Sequence, residues 1–472
     1  MRFAWRWMLS AVVLAGAALA QAQTKGPNID WAQQKAEILE RYRSLIQIDT
    51  SSPPGNETKA VEYLKKVLEG EGIATQSFAV DPARGNLVAR LKGNGKKRPI
   101  LIMAHTDVVG VQREKWPVDP FGAVMKDGYV WGRGSNDDKD KLTAVLMTML
   151  LLKRSGVPLD RDVIFLAEAG EEGDSQFGAE FMAKEHFDAI DAEYALTEGG
   201  AAGLENGRVK YVQIQTAEKV PHPVRLVVNG RSGHASVPRL DNAIAHLSTA
   251  VGKLAAWQTP MKLNDTTRTY FERLATISTP EKAARYNGLT NPAKSAEIQR
   301  YLAEHEPSLY SMLRTSVVPT IIKGGFRTNV IPSEAEATID VRAVPDEDIN
   351  KFYEEMARVI GDPAVKIEPG TFGARPATMP SRLDNEMFRT LEAVSHQMYA
   401  GTTVLPSMST GATDMAFLRA KGVQCYGIGP AMTEDDRTNF GAHSDVERLQ
   451  ESSLYPFVEF VFRVVSDVAV SK

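Results

Sequence analysis

Residues 99–107 have the sequence PILIMAHTD, a run of apolar residues that stops at His105, Thr106 and Asp107. A short apolar run bounded by polar residues is typical of a buried strand. Helical patterns such as 141–154 alternate with further runs of this kind, at 86–91, 163–167, 194–197 and 423–428. This alternation predicts an α/β domain in which a mostly parallel central sheet is flanked by helices.

Acidic residues and histidines follow these runs where each strand is expected to end. In open α/β sheets, ligands bind outside the carboxyl ends of the strands, which meet at one edge. The residues that four of the runs bring to that edge are His105, Asp107, Glu171, Glu172, Glu198 and His443. The loop 132–139, with the sequence GRGSNDDK, precedes a predicted helix and offers Asp137 or Asp138 to the same crevice.

The chemistry of this cluster is that of a metal site without thiols. The only cysteine, Cys425, lies in an apolar run and is predicted to be a small buried hydrophobe. Imidazole and carboxylate ligands suit zinc and other divalent first-row metals. With a bridging carboxylate, the set suffices for two metals about 3.5–4 Å apart, as in hydrolytic two-metal sites. One glutamate then remains to take a proton from water, and Asp107 is placed to hold the second ring nitrogen of His105.

Five motifs in this order resemble those of the M20 metallopeptidase family, which includes glutamate carboxypeptidases, aminoacylases and succinyl-diaminopimelate desuccinylase. They are His105-x-Asp107, Gly134-x-x-Asp137-Asp138-Lys139, Glu171-Glu172, Glu198-Gly199-Gly200 and His443. The resemblance covers nearly the whole chain after residue 22. It implies two zinc ions, with cobalt or manganese as alternatives.

The resemblance also assigns roles by position. His105 would bind one zinc and His443 the other, and Asp137 would bridge both. Glu172 and Glu198 would each ligate one metal. Glu171 would act as general base and then as general acid. The family typically has a cis peptide bond after the bridging aspartate, here Asp137.

A second pattern begins near residue 221 and has the order β-α-β-β-α-β, which predicts a ferredoxin-like unit. The α/β pattern returns after residue 370. We therefore expect a discontinuous catalytic domain at 23–217 and 371–472, with an inserted α+β domain at 218–370. The resemblance implies that this insertion is a lid and dimerisation domain, and that the protein is a homodimer through the lid.

Several lid residues match family motifs. In Gly233-His234-Ala235-Ser236-x-Pro238, the histidine would polarise the scissile carbonyl, usually in the partner's site. Asn329 would hydrogen-bond the substrate, and Arg342 would grip its free carboxylate. Gly411-Ala412-Thr413-Asp414 resembles another substrate loop, in which Gly411 and Thr413 would contact substrate.

The chain departs from the family pattern at three places. Asp140 stands where glycine is usual, and we expect it either to add negative charge near the metals or to cap the following helix. Ala412 stands where many members have glycine. The polar stretch 258–314 lengthens the insertion and resembles the larger-lid branch of carboxypeptidase S and secreted N-acyl amino acid hydrolases.

Composition limits the partners and the location. The 472 residues are 43% hydrophobic and 24% charged, as in a soluble globular protein rather than a disordered or multi-span membrane protein. A net charge of −4 gives no basic field for nucleic acid. Arg2 and Arg6 precede an apolar run at 8–20, which predicts a signal peptide at 1–22 and a secreted or periplasmic protein without stable membrane insertion after cleavage. An uncleaved anchor is the alternative.

The sequence thus predicts a secreted dizinc hydrolase that uses Glu171 and the metals to activate water. Its expected substrates are peptides or N-acyl amino acids with a free carboxylate. One alternative is a dizinc hydrolase of a non-peptide amide or an ester, because the metals and base are indifferent to the side chains recognised. The other is a periplasmic peptide-binding protein without catalysis, against which the presence of Glu171 argues.

Overall fold

The computed structural model describes residues 26–370 and 375–471, so the signal peptide predicted at 1–22 lies outside the described residues. No helix within these two ranges combines the length and the apolar character that crossing a membrane requires. The amino-terminal part contains α1 (Trp31–Ile46), β1 (Ser51–Ser52), α2 (Thr58–Gly70), β2 (Thr75–Ala79), β3 (Gly85–Leu91), β4 (Ile100–His105), β5 (Val108–Val109), β6 (Val124–Lys126), β7 (Tyr129–Trp131), α3 (Lys139–Ser155), β8 (Val163–Glu168), α4 (Ala179–Glu185), α5 (Phe187–Ile190), β9 (Tyr194–Thr197), β10 (Ala201–Glu205) and β11 (Arg208–Glu218).

The middle of the chain contains β12 (Val220–Pro221), β13 (Val224–Asn229), β14 (Gly233–His234), α6 (Ala243–Ala256), α7 (Asp265–Thr276), α8 (Pro280–Asn287), α9 (Ser295–His305), α10 (Pro307–Met312), β15 (Ser316–Gly324), β16 (Val330–Ile331), β17 (Glu334–Ala343), α11 (Ile349–Ile360) and β18 (Val365–Pro369). The carboxyl-terminal part contains α12 (Glu386–Met398), β19 (Thr403–Ser409), α13 (Met415–Arg419), β20 (Gln424–Gly427), β21 (Ala431–Met432), α14 (Glu434–Asn439), β22 (Arg448–Gln450) and α15 (Glu451–Ala469).

Among the described residues, ten strands form one large mixed sheet. Its centre has the order β8-β4-β9-β20, and these neighbours are parallel. Antiparallel strands flank the centre, β3 beside β8 and the β10–β11 hairpin on the other side. The predicted parallel sheet is therefore confirmed at its centre. Because β4 and β8 end in register at His105 and Glu168, the loops that follow them leave the same edge.

Helices cover both faces of the large sheet, as a buried parallel centre requires. On one face α3 lies between the sheet and the helices α1 and α15. Almost every residue of α3 from Lys139 to Leu152 is buried, which explains its continuous apolar run. On the other face α4, α5 and α13 pack against β4, β8 and β9, and Cys425 is fully buried there as predicted.

The inserted elements form a second, antiparallel sheet with the order β15-β17-β13-β18 and β12 beside β17. Helices α6 and α11 bury their apolar side chains against it. In chain order the unit is β13-α6-β15-β17-α11-β18, so the predicted ferredoxin-like arrangement is confirmed. Helix α11 begins at an aspartate cap, Asp348, and ends at Gly361 with φ +59°, a left-handed conformation that glycine adopts readily.

The long polar stretch 258–314 folds into α7–α10. Their buried side chains, among them Phe271, Tyr286 and Leu302, share a core with Leu405 and Met408 of β19 in the large sheet. These helices therefore extend the cover of the large sheet, whereas the sequence suggested an enlarged lid. The domain limits at 217/218 and 370/371 stay a prediction.

Candidate metal centre

The predicted metal ligands meet at the carboxyl edge of the large sheet. His105 ends β4, and Glu198 follows β9 directly. Glu172 lies in the loop after β8, Asp137 precedes α3, and His443 lies between α14 and β22. All five come from different elements, so their proximity is a product of the sheet topology.

Asp137 lies between the two histidines. Its Oδ1 is 3.0 Å from Nε2 of His105, and its Oδ2 is 3.2 Å from Nε2 of His443. Glu172 Oε2 is 2.9 Å from the same nitrogen of His443. Two groups of ligand atoms, each within 4.8 Å of one another, therefore share Asp137: one contains His105 and Glu198, the other Glu172 and His443.

Asp138 also lies within ligand distance of the first group, but its oxygens serve other partners. Its Oδ2 accepts a hydrogen bond from the main-chain N–H of His105 at 3.1 Å, and its Oδ1 pairs with Nζ of Lys141 at 3.1 Å. The peptide bond between Asp137 and Asp138 is cis, as the resemblance implies. The geometry therefore favours Asp137 as the residue that faces both groups.

Asp107 is buried beside His105 and faces its second ring nitrogen. The Nδ1–H of His105 donates to the main-chain carbonyl oxygen of Asp107 at 3.0 Å, and the nearer carboxylate oxygen pairs with the same nitrogen at 3.4 Å. The carboxylate also accepts the main-chain N–H groups of Glu171 and Glu172, at 3.2 and 3.1 Å. Asp107 thus orients His105 through its backbone and holds the glutamate loop through its side chain.

Glu171 lies beside the metal ligands in a mostly buried position, with 13% of its side chain exposed. Burial, with Glu198 and Asp414 nearby, raises the pKa of its carboxyl well above the ordinary value. Arg375 opposes this shift, with Nη2 3.7 Å from Glu171 Oε1, and it also pairs closely with Asp414. A carboxyl with a raised pKa is suited to exchange a proton near neutral pH.

Arg375 was not predicted from the sequence. It lies between β18 and α12, and no strand or motif marked it. The available signal was charge: the predicted crevice holds many carboxylates, and buried carboxylates need a cation near them. Arg375 is mostly buried and supplies that cation next to Glu171.

The carboxylates of the cluster shift the pKa values of the side chains around them. The hydrogen bonds that His443 donates to the carboxylates of Asp137 and Glu172 raise its pKa to about 10. The pKa of His105 is raised well above its ordinary value against its burial, by Asp107 and Asp137. Burial, with Asp137 close by, raises the pKa of Glu198 to about 8. Imidazoles and carboxylates in two groups with a shared aspartate are a fitting donor set for two divalent cations.

The predicted lid residues form a separate group. His234 in β14 is exposed, and its Nδ1 accepts a hydrogen bond from the Ser236 hydroxyl at 2.7 Å. β14 pairs with β16, and the carbonyl oxygen of Asn329 accepts the N–H of Ala235 at 3.0 Å. His234 and exposed Asn329 therefore lie on one hairpin at the lid surface, without a contact to the metal ligands in the described residues.

Arg342 faces the catalytic domain across a cavity of about 350 Å³. The cavity is also lined by Arg375 and Ala412. The Nε of Arg342 donates to both carboxylate oxygens of Asp340, at 3.0 and 3.1 Å, which fixes the guanidinium plane. Two guanidinium groups thus share one cavity, and one of them, that of Arg375, lies 3.7 Å from Glu171.

The predicted substrate loop 411–414 lies next to this cavity. Gly411 is exposed, whereas Thr413 is buried and both its N–H and its hydroxyl donate to Glu218 Oε2, at 2.9 and 2.6 Å. The side chain of Thr413 is therefore engaged within the protein. Its hydrogen bonds hold the loop against the end of β11.

Asp140, the departure from the family motif, lies in the first turn of α3 and is fully buried. Its Oδ1 is 3.2 Å from Nζ of Lys141, which also pairs with Asp138. The neighbouring lysine therefore offsets part of its charge. Both expected roles, added charge and a helix cap, stay predictions.

Comparison with known proteins agrees with this geometry. The model of peptidase family M20/M25/M40 matches residues 101–467. The chain is 26% identical over 455 residues to the N-fatty-acyl-amino acid synthase/hydrolase PM20D1 of Xenopus tropicalis, covering 92% of this chain and 86% of the relative. It is 30% identical over 396 residues to a probable carboxypeptidase S-like 2 of Dictyostelium discoideum, covering 82% and 75%. The fold matches an M20 family metallo-carboxypeptidase, Sso-CP2, of Sulfolobus solfataricus with a TM-score of 0.67 at 19% identity, covering 91% and 98% of the two chains.

Proposed function

This chain belongs to peptidase family M20/M25/M40, and we propose that it is a secreted dizinc hydrolase. Its proposed reaction is cleavage of the amide bond of peptides or N-acyl amino acids that carry a free carboxylate. The observation that carries the proposal is the placement of Asp137, which presents one oxygen to each of two histidine–carboxylate groups beside mostly buried Glu171.

The ligands divide into two sets. His105 and Glu198 would hold one cation, Glu172 and His443 the other, and Asp137 both. When bound, two divalent cations supply Lewis acidity that polarises a carbonyl oxygen and makes water acidic enough to act as a nucleophile. Zinc is the proposed metal because imidazole and carboxylate donors without thiols are typical of catalytic zinc sites.

Glu171 is the proposed proton carrier. In its ionised form it removes a proton from water as the water attacks the amide carbonyl, and it then delivers this proton to the departing nitrogen. Its main-chain N–H is held by Asp107 at 3.2 Å, so its position relative to the ligands is fixed by the loop. General acid–base catalysis by one group contributes about 10²–10⁴-fold to the rate.

Arg342 and Arg375 are the proposed anchors for the substrate's free carboxylate. They line the same cavity of about 350 Å³, and guanidinium groups bind carboxylates by paired hydrogen bonds. The names of two relatives support this class, because an N-acyl amino acid and a carboxypeptidase substrate both carry a free carboxylate.

The lid is the proposed dimer interface. β15 pairs only with β17 among the described strands, so its other edge is open to a second strand. Large apolar side chains are exposed in and around this part of the lid, where a monomer would leave them in water: Val237, Leu240, Val318, Ile321, Ile322 and Phe326. In such a dimer, exposed His234 would serve the site of the partner subunit.

Secretion is proposed from residues 1–22, where two arginines precede an apolar run and small residues. A single buried cysteine leaves no disulfide to form, so an oxidising compartment would not alter the fold. Finding the protein in the cytoplasmic fraction with an intact amino terminus would contradict this part of the proposal.

The function is tested by measuring amine release by the zinc-loaded protein from residue 23 onward. The substrates are dipeptides and N-acyl amino acids, each with a free and with an amidated carboxyl terminus, and Glu171→Gln is the inactive control. Release from the free-carboxylate forms alone supports the proposal. No release from any substrate, with two zinc ions bound, would instead favour a non-peptide substrate or a binding protein.

A further inference from the structure

A buried ion pair outside the predicted site joins Arg133 to Glu447. Arg133 follows β7 and Glu447 precedes β22, and these strands are paired antiparallel. Arg133 Nη1 donates to Glu447 Oε2 at 2.6 Å, and the two side chains are 3% and 0% exposed. The pair takes no part in the proton transfers proposed above.

The two oxygens of Glu447 bind different segments. While Oε2 accepts from Arg133, Oε1 accepts the main-chain N–H of Asn136 at 2.8 Å. Asn136 directly precedes Asp137. Glu447 therefore fixes the backbone from which the shared ligand projects.

Arg133 binds the segment that contains His443. Its Nη1 also donates to the carbonyl oxygen of Ser444 at 3.1 Å, next to His443. The side chain of His443 is 54% exposed and its φ is +65°, so little side-chain packing holds it in place. Apart from the contacts of its Nε2 with Asp137 and Glu172, the position of the His443 imidazole depends on main-chain contacts of this kind.

Burying two charges is expensive, and an apolar pair of similar size is often as stable. The need for stability therefore does not by itself explain why a protein has a buried ion pair. This pair instead links the two loops whose ligand atoms, Asp137 Oδ2 and His443 Nε2, lie 3.2 Å apart. Groups that orient metal ligands typically change metal affinity by about 10–100-fold when removed.

We propose that Glu447, together with Arg133, is a positioning residue that sets the spacing of Asp137 and His443 and thereby the affinity for the metal on the Glu172–His443 side. The inference rests on the proposed dimetal site. Both linked segments carry ligands of this metal, whereas only Asp137 also serves the other metal. The inference therefore predicts a larger loss in one of the two binding events, which general loosening of the fold would not produce.

The test is a calorimetric titration of the metal-free protein with Zn²⁺, followed by Co²⁺ absorption spectra. In Glu447→Gln the amide can accept from Arg133, but its NH₂ then faces the N–H of Asn136, so that link is lost. We expect two zinc ions in the unaltered protein, and in the variant one event weakened by about 10–100-fold while the other changes much less. The Co²⁺ spectrum of the weakened site should change, and Arg133→Lys, which keeps the charge but not the fork, should show a smaller effect in the same direction.

Two reference variants identify which of the two zinc-binding events is affected. His443→Ala removes one binding event, and adding Glu447→Gln to it should weaken the remaining event by much less than the loss of about 10–100-fold expected on the His443 side. Glu386→Gln removes a partner of buried Arg161, 2.8 Å away, near the start of β8, at the opposite edge of the sheet, and should leave both events intact. Equal weakening of both events, or no weakening in Glu447→Gln and Arg133→Lys, would overturn the inference. Fewer than two zinc ions in the unaltered protein would refute the dimetal proposal itself.

Discussion

Replacing Glu171 with glutamine tests the proposed chemistry most directly. The change keeps the size of the side chain and removes only its capacity to take a proton. The hydrogen bond from the main chain of residue 171 to Asp107 does not involve the side chain, so the loop and its neighbour Glu172 should stay in place. Loss of one acid–base group predicts a fall in kcat of about 10²–10⁴-fold, which corresponds to about 2.7–5.4 kcal/mol of barrier. Because burial disfavours the charged carboxylate, the neutral amide should not lower the thermal unfolding midpoint.

The assay is steady-state hydrolysis of an N-acyl amino acid, with zinc content and the unfolding midpoint measured on the same samples. The matched control is Glu172→Gln, one residue away, which should lose one zinc as well as activity because Glu172 lies 2.9 Å from His443. A Glu171→Gln protein that keeps kcat within about tenfold of the unaltered enzyme, or that loses zinc as Glu172→Gln does, would refute the assignment of Glu171 as the base.

Three further predictions concern the rest of the chain. Arg342→Ala should raise KM by about 10–100-fold for free-carboxylate substrates and leave the KM of C-terminal amides unchanged. An equal rise for both kinds of substrate would contradict the role of Arg342 as the carboxylate anchor. Leu240→Asp, which places a charge on a side chain 99% exposed, should shift the protein from dimer to monomer in light scattering, and a dimer of undiminished affinity would place the interface elsewhere. Asp362 raises the pKa of His246, so this histidine stabilises the fold below its ordinary pKa, and its contribution is lost as the pH rises through the raised value. The unfolding midpoint of the unaltered protein should therefore exceed that of His246→Gln at about pH 6 and approach it at about pH 9, whereas a constant difference would contradict the linkage.

The sheet and its site could both be predicted from the sequence because of one physical property of buried strands. A strand that is buried on both faces must be apolar throughout, so its polar end residue marks the edge of the sheet. His105 ends β4 and Glu198 follows β9 in this way, and parallel pairing brings the two ends together. The ferredoxin-like unit was predictable from alternation, because strand β17 buries every second residue.

What the sequence did not predict depends on contacts between distant segments. Arg375 reaches Glu171 only because the chain returns from the insertion beside the loop after β8, and no local pattern encodes this. The helices α7–α10 are polar on their outer sides. Their amphipathic sequence pattern fits packing against either sheet equally well, so it does not tell which sheet they cover. Arg273 of α7 donates to the carbonyl oxygen of Val404 in β19, a contact that assigns these helices to the large sheet.

The electrostatics of the site favour the binding of cations. The imidazoles of His105 and His443 each face an oxygen of Asp137, and the pKa values of both histidines are raised. Glu198, with its pKa raised to about 8, also tends to keep a proton. Protons on these groups neutralise the carboxylates, and divalent cations would replace them, since metal ligands bind in their deprotonated forms. Metal affinity should therefore weaken as the pH falls. The carboxylates that raise the pKa values of the two histidines are also groups that would bind the metals.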